Sequence, residues 1–309
     1  MSQHLKEASL PLSRDEPFDI FADTIAEMTW YQVENAARDG AILLWAFGVI
    51  EQHGPHMPTG TDVYIPSMHL RNVRAALGKR GIQALIVPPY YWGVNVVSGS
   101  FPASYRVRPE IMVEMMADVF ASLAGDGFKQ VFCVTGHGDH RHNQTIYNGI
   151  KTGVDRTSLD ISFLLEPALA LRLGLKLDDP LLTIQRAIGV RFPSPNASTE
   201  DTNSPDGRYI DVHAGCDETS MMLCTCPGLL HEEIRRTLKP TNLGLSDLEE
   251  WRKGFDNARR KTPQGYFGDP AAGTKAHGEA LFAEAAQRAA GAIEARLSSA
   301  LKPAVADDR

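Results

Sequence analysis

A chain of 309 residues with 43% hydrophobic side chains can bury a full core, as one large α/β domain or two small ones. Its net charge of -7 comes from dispersed acids, and no basic run is long enough to track phosphates, which excludes a nucleic-acid module. Cys133, Cys216, Cys224 and Cys226 do not form the framework of a small secreted protein, and no signal-peptide core or run of about 18 apolar residues is present, so the expectation is a soluble cytoplasmic protein with reduced thiols and no membrane contact.

Residues 1–22 are polar and irregular and read as a mobile arm or a strap over a neighbouring subunit, ahead of one domain over 23–309. Thr29 followed by Gln32 is a capping-box spacing, so a short helix is predicted over 30–38, closing at Asp39-Gly40. Residues 41–50 are almost all apolar, the pattern of a central parallel strand covered on both faces. That strand runs into G-V-I-E-Q-H-G-P-H-M-P-T-G-T-D at 48–62, which crowds Glu51, His53, His56 and Asp62 among prolines and glycines. A helix is predicted to start at Pro66, with Met68, Val73 and Leu77 on its apolar face, followed by a strand over 83–88 and a Tyr-, Trp-, Gly- and Ser-rich loop over 89–104.

Pro109 opens a predicted helix that runs to Gly125, with Ile111, Met112, Met115, Val119 and Leu123 at helical spacing. A strand over 130–135 then meets G-H-G-D-H-R-H-N at 136–143, a second polar loop at a strand end. A helix over 144–151, a strand over 159–165 and a helix from Pro167 follow. Strand and helix alternate four times, which predicts a single α/β domain with a mostly parallel sheet and helices on both faces. Sites in such sheets form at the carboxyl ends of the strands, where both polar loops fall.

Residues 191–209 are rich in Pro, Ser and Asn and read as a loop lying over the site. A third cluster follows, with Asp211, His213 and Glu218. Residues 227–267 read as irregular surface with short helices, and 274–301 as one long amphipathic helix with Phe282, Ala286, Ala289, Ile293 and Leu297 inward.

Carboxylates and imidazoles gathered in rigid strand-end loops are the ligand set of zinc, iron or manganese. Two such ions about 3.5 to 4 Å apart need a bridging carboxylate, terminal His and carboxylate ligands, and a water that ionises near neutral pH. In extended backbone, residues two apart point the same way, so Glu51 with His53, and His137 with Asp139, can each reach one centre. His213 is the candidate acid for a leaving atom, oriented by Glu218 or Asp211, because imidazole exchanges a proton near pH 7. His140 and His142 are candidate contacts for a polyhydroxylated substrate, Trp92 and Ser100 are further candidate contacts, and His56 reads as a support for its loop.

The segments at 48–62, V-T-G-H-G-D-H and H-A-G-C-D-E-T-S resemble the signature loops of the creatininase (creatinine amidohydrolase) family. Met28-Thr29-Trp30, Ser100-Phe101-Pro102 and Gly268-Asp269-Pro270 extend the likeness over nearly the whole chain. The resemblance implies a single α/β domain, a homohexamer, two divalent ions per subunit and hydrolysis of a small cyclic amide or related ring. It also implies that Glu51, Asp62 and His137 hold one ion and His53, Asp62 and Asp139 the other, with Asp62 bridging. The second loop departs from the family pattern, with His137-Gly138-Asp139 where creatininase carries His-Tyr-Glu, so Glu218 is the alternative ligand. Cys216 stands where relatives often carry an acid, and both departures weigh against creatinine itself. An oxidised inositol ring is the alternative substrate. A binding protein without catalysis is the alternative class, disfavoured because every ligand position is filled.

Overall fold

The structure is a computed structural model that describes residues 18–185 and 210–300. Most of the expected arm and the expected loop at 191–209 lie outside the described residues. In chain order the elements are α1 (Trp30–Arg38), β1 (Ile42–Phe47), α2 (Thr61–Gly78), β2 (Ala84–Tyr90), α3 (Pro109–Gly125), β3 (Gln130–Thr135), α4 (His140–Arg156), β4 (Asp160–Leu165), α5 (Pro167–Arg172), β5 (Leu182–Ile184), α6 (Cys216–Thr225), α7 (Glu232–Arg235), α8 (Leu245–Arg252), α9 (Asp256–Lys261) and α10 (Lys275–Ala300). The five strands form one parallel sheet in the order β2-β1-β3-β4-β5.

Alternation along the central strands divides the core. Leu43, Trp45 and Phe47 of β1 pack with Met112, Met116 and Phe120 of α3 and Ile146 and Ile150 of α4. Ile42, Leu44 and Ala46 point the other way, onto Leu70, Val73 and Leu77 of α2 and Ala286, Ala289 and Ile293 of α10. Every residue of β1 is buried, as a strand covered on both faces requires. The capping box of α1 is made on both sides: the Thr29 N–H donates to the Gln32 side chain at 2.8 Å, and the Gln32 N–H to the Thr29 hydroxyl at 3.4 Å.

Several expectations shift. The helix α2 starts at Thr61, not at Pro66, which lies inside it. The strand β2 continues through Pro88 to Tyr90, which an edge strand tolerates because one side of its backbone has no ladder to complete. The helix α4 begins at His140, since Asp139 caps it, and runs on to Arg156. The short strand β5 has too few residues to show a period and was not anticipated. On α3, Ile111 is exposed and the buried face is carried by Met112, Met116, Phe120 and Leu123.

Candidate active site

The ends of β1 and β3 deliver the cluster. Beyond β1 the chain places Glu51 and His53, and the first turn of α2 returns Asp62 to the same point; beyond β3 comes His137, all four buried. His213 forms a triad with Glu51 and His53 beside two others, Glu51–Asp62–His137 and His53–Asp62–Glu218, with candidate ligand atoms within 4.8 Å of one another in each. Asp62 belongs to both of the latter.

The donor atoms are individually aimed. His53 donates from Nδ1 to the Glu51 carbonyl oxygen at 3.1 Å, which turns its Nε2 to the Asp62 Oδ1, also at 3.1 Å. Such a bond on one ring nitrogen is what fixes an imidazole for a ligand on the other. His137 Nδ1 stands 2.9 Å from Asp62 Oδ2 and 3.1 Å from Glu51 Oε1. Asp62 Oδ2 is buried with no well-aligned hydrogen bond, so its contact with His137 is one of charge and proximity. Glu51 is held from behind by Asn95 Nδ2, at 3.0 Å from Oε2, and by the Ser98 hydroxyl on the same oxygen.

The charges show what such a centre draws in. Burial works to raise both Glu51 and Asp62, but the imidazoles prevail: His137 and His213 hold Glu51 below its ordinary value, and His53 and His137 do so for Asp62. Burial works against protons on His53, and Asp62, Glu218 and Glu51 overcome it, lifting His53 to about 10. His137 is likewise raised, against burial, by Glu51 and Asp62. Glu218 is pushed up to about 7, by burial first and with Asp62 and Glu51 adding to it against the pull of His53. Three acids packed this closely demand positive charge, which divalent ions supply more fully than protons. Oxygen and nitrogen donors of this kind fit zinc, manganese or iron.

His213 lies at the cluster's edge, with Nδ1 3.7 Å from Glu51 Oε1 and Nε2 2.9 Å from the Gln52 carbonyl oxygen and 3.1 Å from the Gln52 side-chain nitrogen. Its ring sits 4.4 Å from that of His53 and 5.8 Å from that of Trp251. Burial, then the charge on His53, lowers it to about 4. Glu218 accepts from the Ala214 N–H at 2.6 Å and stands 3.7 Å from His53 Nε2. A cleft of about 1390 Å³ opens over these groups, lined by Glu51, Asp62, His137, His213, Glu218 and Trp251 among others.

Several candidates take different places. Asp139 accepts from the N–H groups of Val96 and Val97 on Oδ2 and of Arg141 and His142 on Oδ1, so its carboxylate caps α4 and pins the 94–98 loop instead of joining a triad. Asp211 does not bond His213; its Oδ2 accepts from the Cys216 N–H at 2.5 Å and braces the turn before α6. His142 is fully buried behind His137, where Nδ1 accepts from the Val94 N–H, so no substrate can reach it. Trp92 is half exposed, rests on Tyr91 and Tyr105, and is not among the cleft-lining residues. Ser100 also lies off the cleft and its carbonyl accepts from Arg259; the serine at the site is Ser98. His140 is exposed on the cleft wall. His56 supports its loop, bonded to the Thr219 hydroxyl at 3.0 Å. Sequence reading missed Gln52, Asn95, Ser98 and Trp251.

A family model, Creatininase (creatinine amidohydrolase), matches residues 26–293. A creatinine amidohydrolase of Pseudomonas putida is 27% identical over 133 residues, 41% of this chain; the match spans about half of that protein, 48%. A mycofactocin precursor peptide peptidase of Mycolicibacterium smegmatis is 24% identical over 79% of this chain and 80% of its own. A 3-dehydro-scyllo-inosose hydrolase of Thermotoga maritima is 22% identical over 40% of this chain and 38% of its own. Among solved structures, a manganese form of creatininase superposes with a TM-score of 0.64 at 21% identity, covering 89% of this chain and 98% of that one.

Proposed function

As the chain belongs to the creatininase family, we propose that it is a metal-dependent hydrolase that cuts an amide bond in a small cyclic amide or a related substrate. The observation that carries this reading is the pair of triads sharing Asp62, buried except for the half-buried Glu218. Glu51, Asp62 and His137 would hold one divalent ion, and His53, Asp62 and Glu218 a second. Bound there, zinc or manganese supplies Lewis acidity and lowers the pKa of water. Asn95 and Ser98 keep Glu51 oriented through its Oε2. His213 sets Nε2 against Gln52 and presents Nδ1 to the cleft side of the cluster, where it can take and return the proton of a leaving atom.

The ring-opening of an oxidised inositol is the second reading for the same site, favoured by the partial likeness to the inosose hydrolase and by the polar wall that includes His140. The likeness to a peptide peptidase reaches further along the chain, and a cleft of about 1390 Å³ exceeds the roughly 300–1,000 Å³ of ordinary small-molecule sites. A substrate larger than one small ring therefore fits this reading well. The subunits are proposed to assemble as a homohexamer in the cytoplasm; among the described residues no helix is long and apolar enough to cross a membrane.

The test is metal content by mass spectrometry on the purified protein and on Asp62→Ala. About two ions per chain, falling to one or none in the variant, supports the shared centre. Absence of metal from both, after incubation with zinc and manganese, sinks it.

A further inference from the structure

The cleft wall beyond the two triads is basic. Arg106, Arg108, Arg141, Arg172 and Arg252 all line it, in a chain whose acids outnumber its Lys and Arg by 38 to 31. The carboxylates of the same lining do not answer them. Glu51, Asp62 and Glu218 face the cluster, Asp139 is saturated by four N–H groups, and Asp211 is bonded to the Cys216 backbone. Arg108 pairs with Glu110 at 3.7 Å, and Arg106 lies over the Phe255 ring at 5.0 Å. Among the described residues, Arg106, Arg141, Arg172 and Arg252 have no ion-pair partner.

Two of these belong together. Arg172 ends α5 and Arg252 ends α8, two helices far apart in sequence whose last residues meet at one cleft. Although both side chains are exposed, partial desolvation in the cleft and then the like charge of Arg252 hold the Arg172 guanidinium below its ordinary value. Partial desolvation does the same to Arg252, and Glu249, the acid that favours its charge, makes no ion pair with it. A helix C-terminus welcomes one cation. Each of the two termini thus suits its own arginine, and among the described residues no carboxylate pairs with either where both line the cleft.

We propose that Arg172 and Arg252, with Arg106 and Arg141, bind an anionic group, a carboxylate or a phosphate, carried by the substrate away from the bond that is cut. Every member is Arg and none is Lys, which suits the planar fork of guanidinium to the paired oxygens of such groups. The inference takes from the hydrolase reading only the direction of the substrate; the binding it describes does not depend on turnover.

The experiment titrates the manganese-loaded protein with matched ligands by calorimetry: N-acetylglutamate against N-acetylglutamine, and N-acetyl-O-phosphoserine against N-acetylserine. The anionic member of a pair is expected to bind at least about tenfold more tightly, weakening as salt is raised. The pair with the larger ratio identifies carboxylate or phosphate. The Arg172→Gln/Arg252→Gln double variant should bring that ratio near one, and Arg141→Gln alone should lower it, with far-UV circular dichroism and metal content unchanged. Arg156→Gln, whose guanidinium is held by Glu114 and lies outside the cleft lining, should leave the ratio as it was. Equal or undetectable binding of charged and neutral ligands overturns the inference, as does a preference that survives in the folded double variant. Anion preference without hydrolysis of any amide would count against the hydrolase reading alone. Hydrolysis of neutral amides without the preference would count against the arginine wall alone.

Discussion

Where backbone N–H groups point decides which acid can complete the second triad. Asp139 is surrounded by four of them, while Glu218 accepts one and stands 3.7 Å from His53 Nε2. Opposite effects are therefore expected from near-isosteric changes. Asp139→Asn should lower thermal stability by about 1–3 kcal/mol, because an amide leaves buried donors unmatched, yet retain the metal content. Glu218→Gln should lose metal with little change in melting temperature. Calorimetry and metal analysis on the two proteins check this, and metal loss confined to Asp139→Asn would reverse the assignment. That Glu51, His53, Asp62 and His137 gather at one point was legible in the sequence because two strand-end loops carry all four. Asn95 and Ser98 were not, since their work is to bond Glu51 from 44 and 47 positions away and their loop composition signals only a turn.

The element that sets Asp62 in place is the start of α2, and its entry is shaped by Pro66. A proline in that position gives no N–H to the carbonyl four residues back, so the Asp62 carbonyl is free of the helical ladder. Two strand-end glycines close against it. A Cβ on Gly48 would fall 2.1 Å from the Asp62 oxygen, and one on Gly136 2.4 Å from it and 2.6 Å from Pro66 Cγ. Since these neighbours are backbone and a ring, they cannot swing aside. Gly136→Ala is expected to cost about 1–3 kcal/mol and to displace Asp62, lowering metal content with stability. Gly138→Ala, two residues on and with nothing within 4 Å of its Cβ, should change neither. Equal behaviour of the two variants in melting and metal assays would show that the close approach does not matter. Reading Pro66 as the first residue of its helix followed the usual preference for proline in a first turn. The preference failed here because α2 begins a turn earlier, where Gly48 and Gly136 close on the Asp62 carbonyl, a tertiary fact no local pattern carries.

At the scale of the molecule, a parallel sheet with two covered faces was legible because buried strands and amphipathic helices each write their period into the chain. The short helices expected over 227–267 are present as α7, α8 and α9, but the segment is not all surface, since Leu248, Trp251, Ala258 and Phe267 belong to a buried cluster. Arg235 is a main tie. It is buried, donates Nε and Nη2 to Glu232 at 2.6 Å each, and gives Nη1 to the carbonyls of Pro270 and Ala271 at 3.0 Å and Gly273 at 3.2 Å. The short segment ahead of α10 is thereby joined to α7, and α10 packs on the sheet. The hydrogen bond from Arg235 is the main cause that brings the Glu232 carboxyl from 4.5 down to about 2. A depressed acid stabilises the fold at every pH above its unfolded value, and the contribution fades as pH falls from about 4.5 to about 2. The melting temperature of the intact protein should therefore exceed that of Glu232→Gln by its full margin above pH 4.5, with the gap closing toward pH 2. Because Glu232 is partly exposed, solvent and salt screen the pair, and the margin should be smaller at high ionic strength. A gap that stays constant across that window would mean that the charge on Glu232 contributes nothing and that Arg235 holds the two regions through the carbonyls alone.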